Sequence, residues 1–219
     1  MASVLVLDVD GTLVDTNYHH ALAWFRAFRQ SGVTVPIWRI HRAIGMGGDQ
    51  LVPAVAGRRV EEEFGDTVRA AWKREADALL EEVCPVDGAR RLLQDAVGAG
   101  YTVVLASSGE PDHVDRYLDL LEARDLAHDW TSSEDVSATK PEPNLIQAAL
   151  AKAGDDEAVV VGDSVWDCQA AGRIGLPCVA VRTGGFGEQE LIHNGAARVY
   201  DELDQLRADL PRLPLSRAE

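Results

Sequence analysis

Apolar positions along this chain fall into two regimes. Residues 3–8 end in an unbroken apolar run, Val4-Leu5-Val6-Leu7, followed by Asp8. A run with no polar face predicts a strand buried on both sides. From about residue 16 to 85 the apolar positions recur at helical spacing. Helices are expected near 18–31, 36–45, 49–57 and 60–82, with Pro36 in a first turn and Gly45-Met46-Gly47-Gly48 as a loop. Beyond residue 86 strands and helices alternate. Asp87 is expected to cap a helix over 88–98 that Gly98 and Gly100 close; strand 102–107, helix 111–122 and a short strand near 128–131 follow. Then come helix 143–153, strand 158–162, helix 164–174, strand 178–182, an apolar run at 197–200 and a helix from 202. The tail, 211–219, reads as loosely ordered.

Short apolar strands alternating with helices predict an α/β fold, a parallel sheet with helices on both faces. The simplest division is a core of residues 1–15 and 86–219 with a helical insertion, 16–85, between its first two strands. Trp24, Phe25, Phe28, Trp38 and Trp72 fall at helical spacings and are expected to pack between the insertion's helices. There is no internal repeat and no low-complexity segment.

Composition adds limits. The 219 residues are 46% apolar and 26% charged, which is ordinary for a globular protein. No apolar run reaches the ~18 residues that cross a bilayer, so no membrane role is expected. No basic segment precedes an apolar stretch at the start, so no secretory leader is expected. Cys84, Cys168 and Cys178 lack metal-ligand spacing and read as reduced thiols in a cytoplasmic protein. Net charge is −15, which argues against nucleic acid. Residues 16–85 hold nine Lys/Arg and nine Asp/Glu, so the other 12 basic and 27 acidic residues carry the whole excess. Most of these acids read as a solvated surface.

The strand ends carry the chemistry. The first ends at Asp8, with Asp10 two residues on; strand 102–107 ends at Ser107-Ser108-Gly109; strand 158–162 leads into Asp163, with Asp167 one helical turn later; Lys140 precedes Pro141 in a loop. A parallel sheet places its ligand at the carboxyl ends of its strands, so these positions converge on one edge. Carboxylates gathered there repel one another unless a cation intervenes. Hard oxygen ligands suit Mg²⁺, with Asp8, Asp163 and the Asp10 carbonyl as ligands. Asp167 either joins the metal or orients Lys140. A carboxylate beside Mg²⁺ is a competent nucleophile towards phosphorus, and the acid two residues on can move the leaving group's proton. Gly11 allows a sharp turn, Thr12 can donate to nearby oxygens, and Ser107, Ser108 and Gly109 can meet a phosphoryl group.

Asp8-Val-Asp-Gly-Thr-Leu-Val-Asp15, Ser107, Lys140-Pro141 and Gly162-Asp-Ser-Val-Trp-Asp167 together resemble the four motifs of the haloacid dehalogenase superfamily. The helical insertion resembles the small α-helical cap of its phosphoglycolate phosphatase-like and β-phosphoglucomutase-like members. The resemblance implies a Rossmann-like core, Asp8 as nucleophile, Asp10 as general acid/base, Ser107 and Lys140 as stabilisers of phosphate and intermediate, and Asp163 as a Mg²⁺ ligand. Dehalogenases of the superfamily lack the second aspartate, so Asp10 argues against them. Phosphonatases carry a cap lysine where Gly48, Asp49 and Gln50 stand here. β-Phosphoglucomutases place an arginine after the corresponding cap glycine, where this chain has Gly47 and Gly48, though Arg42 is a possible substitute.

The expected function is therefore Mg²⁺-dependent hydrolysis of a small phosphorylated metabolite through an aspartyl-phosphate, by a monomer or homodimer. Arg42, Asp49 and Gln50 are the candidate cap contacts to substrate. A phosphosugar mutase is the alternative among enzymes, and a phospho-receiver-like domain the non-enzymatic one. Receivers lack a ~70-residue insertion after the first acidic strand. Gly184-Gly185-Phe186-Gly187 lacks the GxxxxGK[ST] pattern and reads as a flexible turn flanking the crevice.

Overall fold

The computed structural model describes residues 4–213, whose contacts fall into two compact units. One runs through Asp15 and resumes at Pro85; the other is Thr16–Cys84.

The first unit is built on a six-stranded sheet. Its strands are β1 (Val4–Asp8), β2 (Thr102–Ala106), β3 (Asp129–Thr131), β4 (Ala158–Gly162), β5 (Cys178–Val181) and β6 (Ala196–Tyr200). All pair in parallel, in the order β3-β2-β1-β4-β5-β6. That order reverses direction between β1 and β4, where open α/β sheets form their crevice. Parallel pairing explains the apolar strands: β1 and β4 are buried at every position. Alternate side chains leave opposite faces. Val4, Val6, Val104, Val160 and Ala180 join one core cluster with Leu145, Ile146 and Ala149 of α7 (Asn144–Ala153) and Cys168 and Ala171 of α8 (Val165–Arg173). Leu5, Leu7, Val103, Leu105, Val159 and Val161 are buried on the other face.

The second unit contains α1 (Asn17–Gln30), α2 (Ile37–His41), α3 (Gly48–Ala56) and α4 (Arg58–Leu79). Trp24, Phe28, Ile40, Leu51, Val52 and Val68 form its core, and the Trp24 and Trp72 rings stack with centroids 5.1 Å apart.

Several expectations are corrected. Trp38 is 64% exposed rather than core, because α2 turns Ile40 inward instead. That helix is one turn, not a span of 36–45, and the extended Pro36 precedes it. Asp87 does not cap α5 (Ala89–Gly98): the left-handed Gly88 occupies the cap position, without a side-chain hydrogen bond. A short helix, α9 (Glu188–His193), follows the glycine loop where none was expected. The remaining helices, α6 (Pro111–Leu120) and α10 (Leu203–Asp209), fall where the periodicity places them. Of the tail expected to be loose, 211–219, Pro211 and Arg212 complete a 3-10 turn begun at Leu210 and Leu213 is buried, while residues 214–219 lie outside the described residues.

Candidate active site

Asp8 is the last residue of β1, level with Ala106 of β2, and the preceding Leu7 is level with Val161 of β4. Its carboxylate therefore opens at the reversal point of the sheet. After Asp8 the chain folds into a compact turn. The N–H groups of Leu13 and Val14 donate to the Val9 carbonyl, and the Gly11 N–H donates to the Val14 carbonyl at 2.8 Å. Gly11 has φ +83°, a left-handed conformation that a side chain would strain. This turn brings Thr12 back under the acids. Its hydroxyl lies 3.0 Å from Asp8 Oδ2 and 3.1 Å from Asp163 Oδ1. A hydroxyl carries one proton, so Thr12 donates to one of these carboxylates at a time.

Lys140 is only 3% exposed, and its ammonium pairs with both Asp8 and, at 2.6 Å, Asp167 Oδ1. Asp167 is fixed from its own helix. It forms a capping box with Ser164 at the start of α8: the Ser164 N–H and hydroxyl donate to Asp167 Oδ2 at 3.1 and 2.5 Å. Both Asp167 oxygens thus have partners within the chain. Gly162 makes room for this arrangement, since a Cβ there would lie 2.2 Å from the Asp167 carboxyl carbon.

A second chain of bonds runs beside the first. The Gly109 N–H donates to Ser107 Oγ at 3.0 Å, and Ser107 in turn donates to Asp10 Oδ2 at 3.0 Å. The Thr131 hydroxyl supports the Ser107 carbonyl at 3.3 Å. Ser108 and Gly109 are half-buried next to it. The other three residues picked as substrate contacts belong to the Thr16–Cys84 unit. Arg42 follows α2, and burial holds its guanidinium below its ordinary pKa. Asp49 and Gln50 lie in the first turn of α3, where the Gln50 amide donates to Asp49 Oδ2 at 3.1 Å.

The electrostatics of the first group are one-sided. Lys140 supplies one positive charge against Asp8, Asp10, Asp163 and Asp167. Burial, together with the neighbouring Asp167, Asp163 and Asp10, pushes the Asp8 carboxyl well above the usual carboxylate range despite Lys140. Burial opposes the Lys140 charge, but Asp167 and Asp8 outweigh it and hold the ammonium above its ordinary pKa. Burial is the larger cause at Asp8, while the surplus of buried negative charge adds to it there and governs the shift at Lys140. Asp8, Asp163 and Asp167 each offer a carboxylate oxygen, and these oxygens all lie within 4.8 Å of one another. An all-oxygen, acid-rich donor set of this kind fits a hard divalent cation such as Mg²⁺.

Two contributors escaped the sequence reading. Ser164 had a legible signal, the S-x-x-D spacing of a capping box. Thr183, just past β5, donates to the Gly11 carbonyl at 2.5 Å. The loop expected to be a flexible turn is in fact tied down. Phe186 is buried in the core, and Arg182 pairs with Asp201 at 2.6 Å.

Residues 2–175 match the model of the haloacid dehalogenase-like hydrolases. Validoxylamine A 7'-phosphate phosphatase of Streptomyces hygroscopicus subsp. limoneus is 27% identical over 84% of this chain and 87% of that protein. A phosphoglycolate phosphatase of Caulobacter vibrioides is 28% identical over 83% and 80%. Among solved structures, a hydrolase from Pseudomonas syringae is 29% identical, with a TM-score of 0.90 over 96% of this chain and 99% of its own.

Proposed function

The chain belongs to the haloacid dehalogenase-like hydrolase family, and from that premise we propose that it is a Mg²⁺-dependent phosphomonoesterase working through an aspartyl-phosphate. The observation that carries this reading is Asp8, buried at the end of β1, bonded to Lys140 and Thr12, with Asp163 alongside. Asp8, Asp163 and the Asp10 carbonyl would hold the cation. When bound, Mg²⁺ would supply positive charge to the transferring phosphoryl oxygens.

The residues then have distinct work. The Asp8 carboxylate attacks phosphorus, and the bond from phosphorus to the ester oxygen breaks. Asp10 gives its proton to the departing oxygen, then takes one from the water that attacks the aspartyl-phosphate. Phosphate leaves, and Asp8 returns as a carboxylate. Lys140 and Ser107 offset charge on the phosphoryl oxygens, and Asp167 keeps Lys140 aimed. Ser108 and Gly109 would line the phosphoryl pocket. Arg42, Asp49 and Gln50 remain the proposed determinants of specificity, within a helical cap formed by the second unit.

Two relatives named for phosphatases of validoxylamine A 7'-phosphate and phosphoglycolate support a small phosphorylated metabolite as the substrate class. The test is hydrolysis of a generic aryl phosphate, with Mg²⁺ and with chelator, followed by a panel of phosphorylated sugars, acids, nucleotides and amino alcohols. Metal-dependent turnover is expected. None with any phosphoester in the panel would refute the reading.

A further inference from the structure

The loop after β5 lies at a strand end that the proposed chemistry leaves without a role. Yet it is built with care. Arg182 is tied to Asp201, Phe186 is buried among core residues of the sheet, and Gly185 takes a left-handed turn with φ +84° between them. These anchors hold Thr183 so that its hydroxyl meets the Gly11 carbonyl at 2.5 Å, across 172 positions of sequence.

Gly11 is the hinge of the turn that follows Asp8. Its carbonyl and the Thr12 nitrogen share one rigid peptide plane. A glycine in a left-handed conformation has the most backbone freedom of any residue, so an outside hydrogen bond is an effective way to fix that plane. What the plane controls is Thr12, whose hydroxyl sits between Asp8 Oδ2 and Asp163 Oδ1. We propose that Thr183 is a positioning residue, setting the spacing of the Asp8 and Asp163 carboxylates through the Gly11 carbonyl and Thr12. Thr183 touches neither carboxylate and supplies no chemistry itself.

The proposal rests on the reading of Asp8 and Asp163 as cation ligands, and one experiment separates the two. Mg²⁺ binding is followed by calorimetry on the full chain without substrate, for the wild type, Thr183→Val and Thr183→Ser. Valine keeps the shape and removes the donor; serine restores the donor. The expected result is a Mg²⁺ dissociation constant raised about three- to tenfold in Thr183→Val, the size of one neutral hydrogen bond, and returned towards wild type in Thr183→Ser. Urea unfolding of the same samples with chelator checks that Thr183→Val is folded. Turnover at saturating Mg²⁺ should recover in Thr183→Val more than turnover at limiting Mg²⁺. No Mg²⁺ binding by the wild type would overturn the metal reading beneath the proposal. Wild-type binding matched by Thr183→Val, or a defect that Thr183→Ser shares, would overturn the proposal alone. If Thr183→Val does not fold, Thr183→Ser against Thr183→Ala carries the same comparison.

Discussion

Gly162 ends β4 with an ordinary extended backbone, so its φ does not demand glycine; the space around it does. A Cβ at this position would stand 2.2 Å from Asp167 Cγ, 2.4 Å from its Cβ and 2.6 Å from its Oδ2. To regain an ordinary carbon–carbon separation of about 3.5 Å, Asp167 must retreat by about 1 Å. It is held on two sides, by the capping box with Ser164 and by Lys140 at 2.6 Å. Releasing the cap costs about 1 kcal/mol. Breaking a buried ion pair costs about 3–5 kcal/mol, an upper bound here because Lys140 keeps Asp8. Shifting the start of α8 instead stores overpacking strain of about 1–3 kcal/mol. Releasing the cap alone leaves Asp167 held by Lys140, so a shift at the start of α8 takes up the strain, and Gly162→Ala should lose about 2 kcal/mol, or about 4–8 °C in Tm for a chain of this size. Urea and thermal unfolding with chelator measure it. The control is a cycle with Asp167→Gly, which removes every atom of the clash. In that background Gly162→Ala should cost less than about 0.5 kcal/mol. An equal cost in both backgrounds, or a single variant within about 0.5 kcal/mol of wild type, refutes the close-approach argument.

Asp8→Asn keeps the shape of the side chain but removes the attacking carboxylate; turnover should fall to background with the fold intact, and measurable activity would remove Asp8 as nucleophile. Asp10→Asn should slow alkyl phosphates by about 10²–10⁴, the usual weight of a general acid, and aryl phosphates with good leaving groups far less; equal losses would count against a proton-transfer role. The raised Asp8 carboxyl predicts a pH signature in chelator. Between its unfolded value near 3.8 and its raised folded value, the folded chain holds more protons than the unfolded one. Asp8 therefore makes stability fall as pH rises through that window. Urea midpoints of wild type minus Asp8→Asn should show this downward slope, and a rise with pH would contradict it. The raised Lys140 acts at the other end: its contribution is complete below about 10.5 and is lost only as pH climbs through its higher folded value.

The core strands were readable because parallel strands buried on both faces leave continuous apolar runs, and an acid directly after such a run marks the ligand edge. Asp8 and Asp163, and Ser107 just past β2, could therefore be placed at that edge without coordinates, and Asp8, Thr12, Lys140, Asp163 and Asp167 lie in one network of hydrogen bonds and ion pairs. Misses occurred where tertiary contacts override local preference. Trp38 and Ile40 both suit a helix face, and only packing decides that Ile40 turns inward. Asp87 has the right chemistry for a cap, but the left-handed Gly88 takes the position. Nothing marks Thr183 locally beyond its place just past β5, since its partner lies 172 residues away. Applying the strand-end rule to β5 as well as to β1, β2 and β4 would have pointed to it.

The position of β1 in the sheet also bears on how the protein is made. Val6 is the first strand's midpoint, yet it is flanked by Val104 on one side and Val160 on the other. On the ribosome, the strand that ends in Asp8 emerges first and waits for both neighbours. The intervening helical unit has its own apolar core and can condense meanwhile, because its contacts are local. Until residues 158–162 are translated, β1 is an unpaired apolar edge, the kind of segment that nascent chains misassociate through. The sheet's strand order thus sets a timetable: no ribosome-bound fragment shorter than the one reaching Asp167 contains a complete set of buried acids. The interval before that point is when this chain most needs protection.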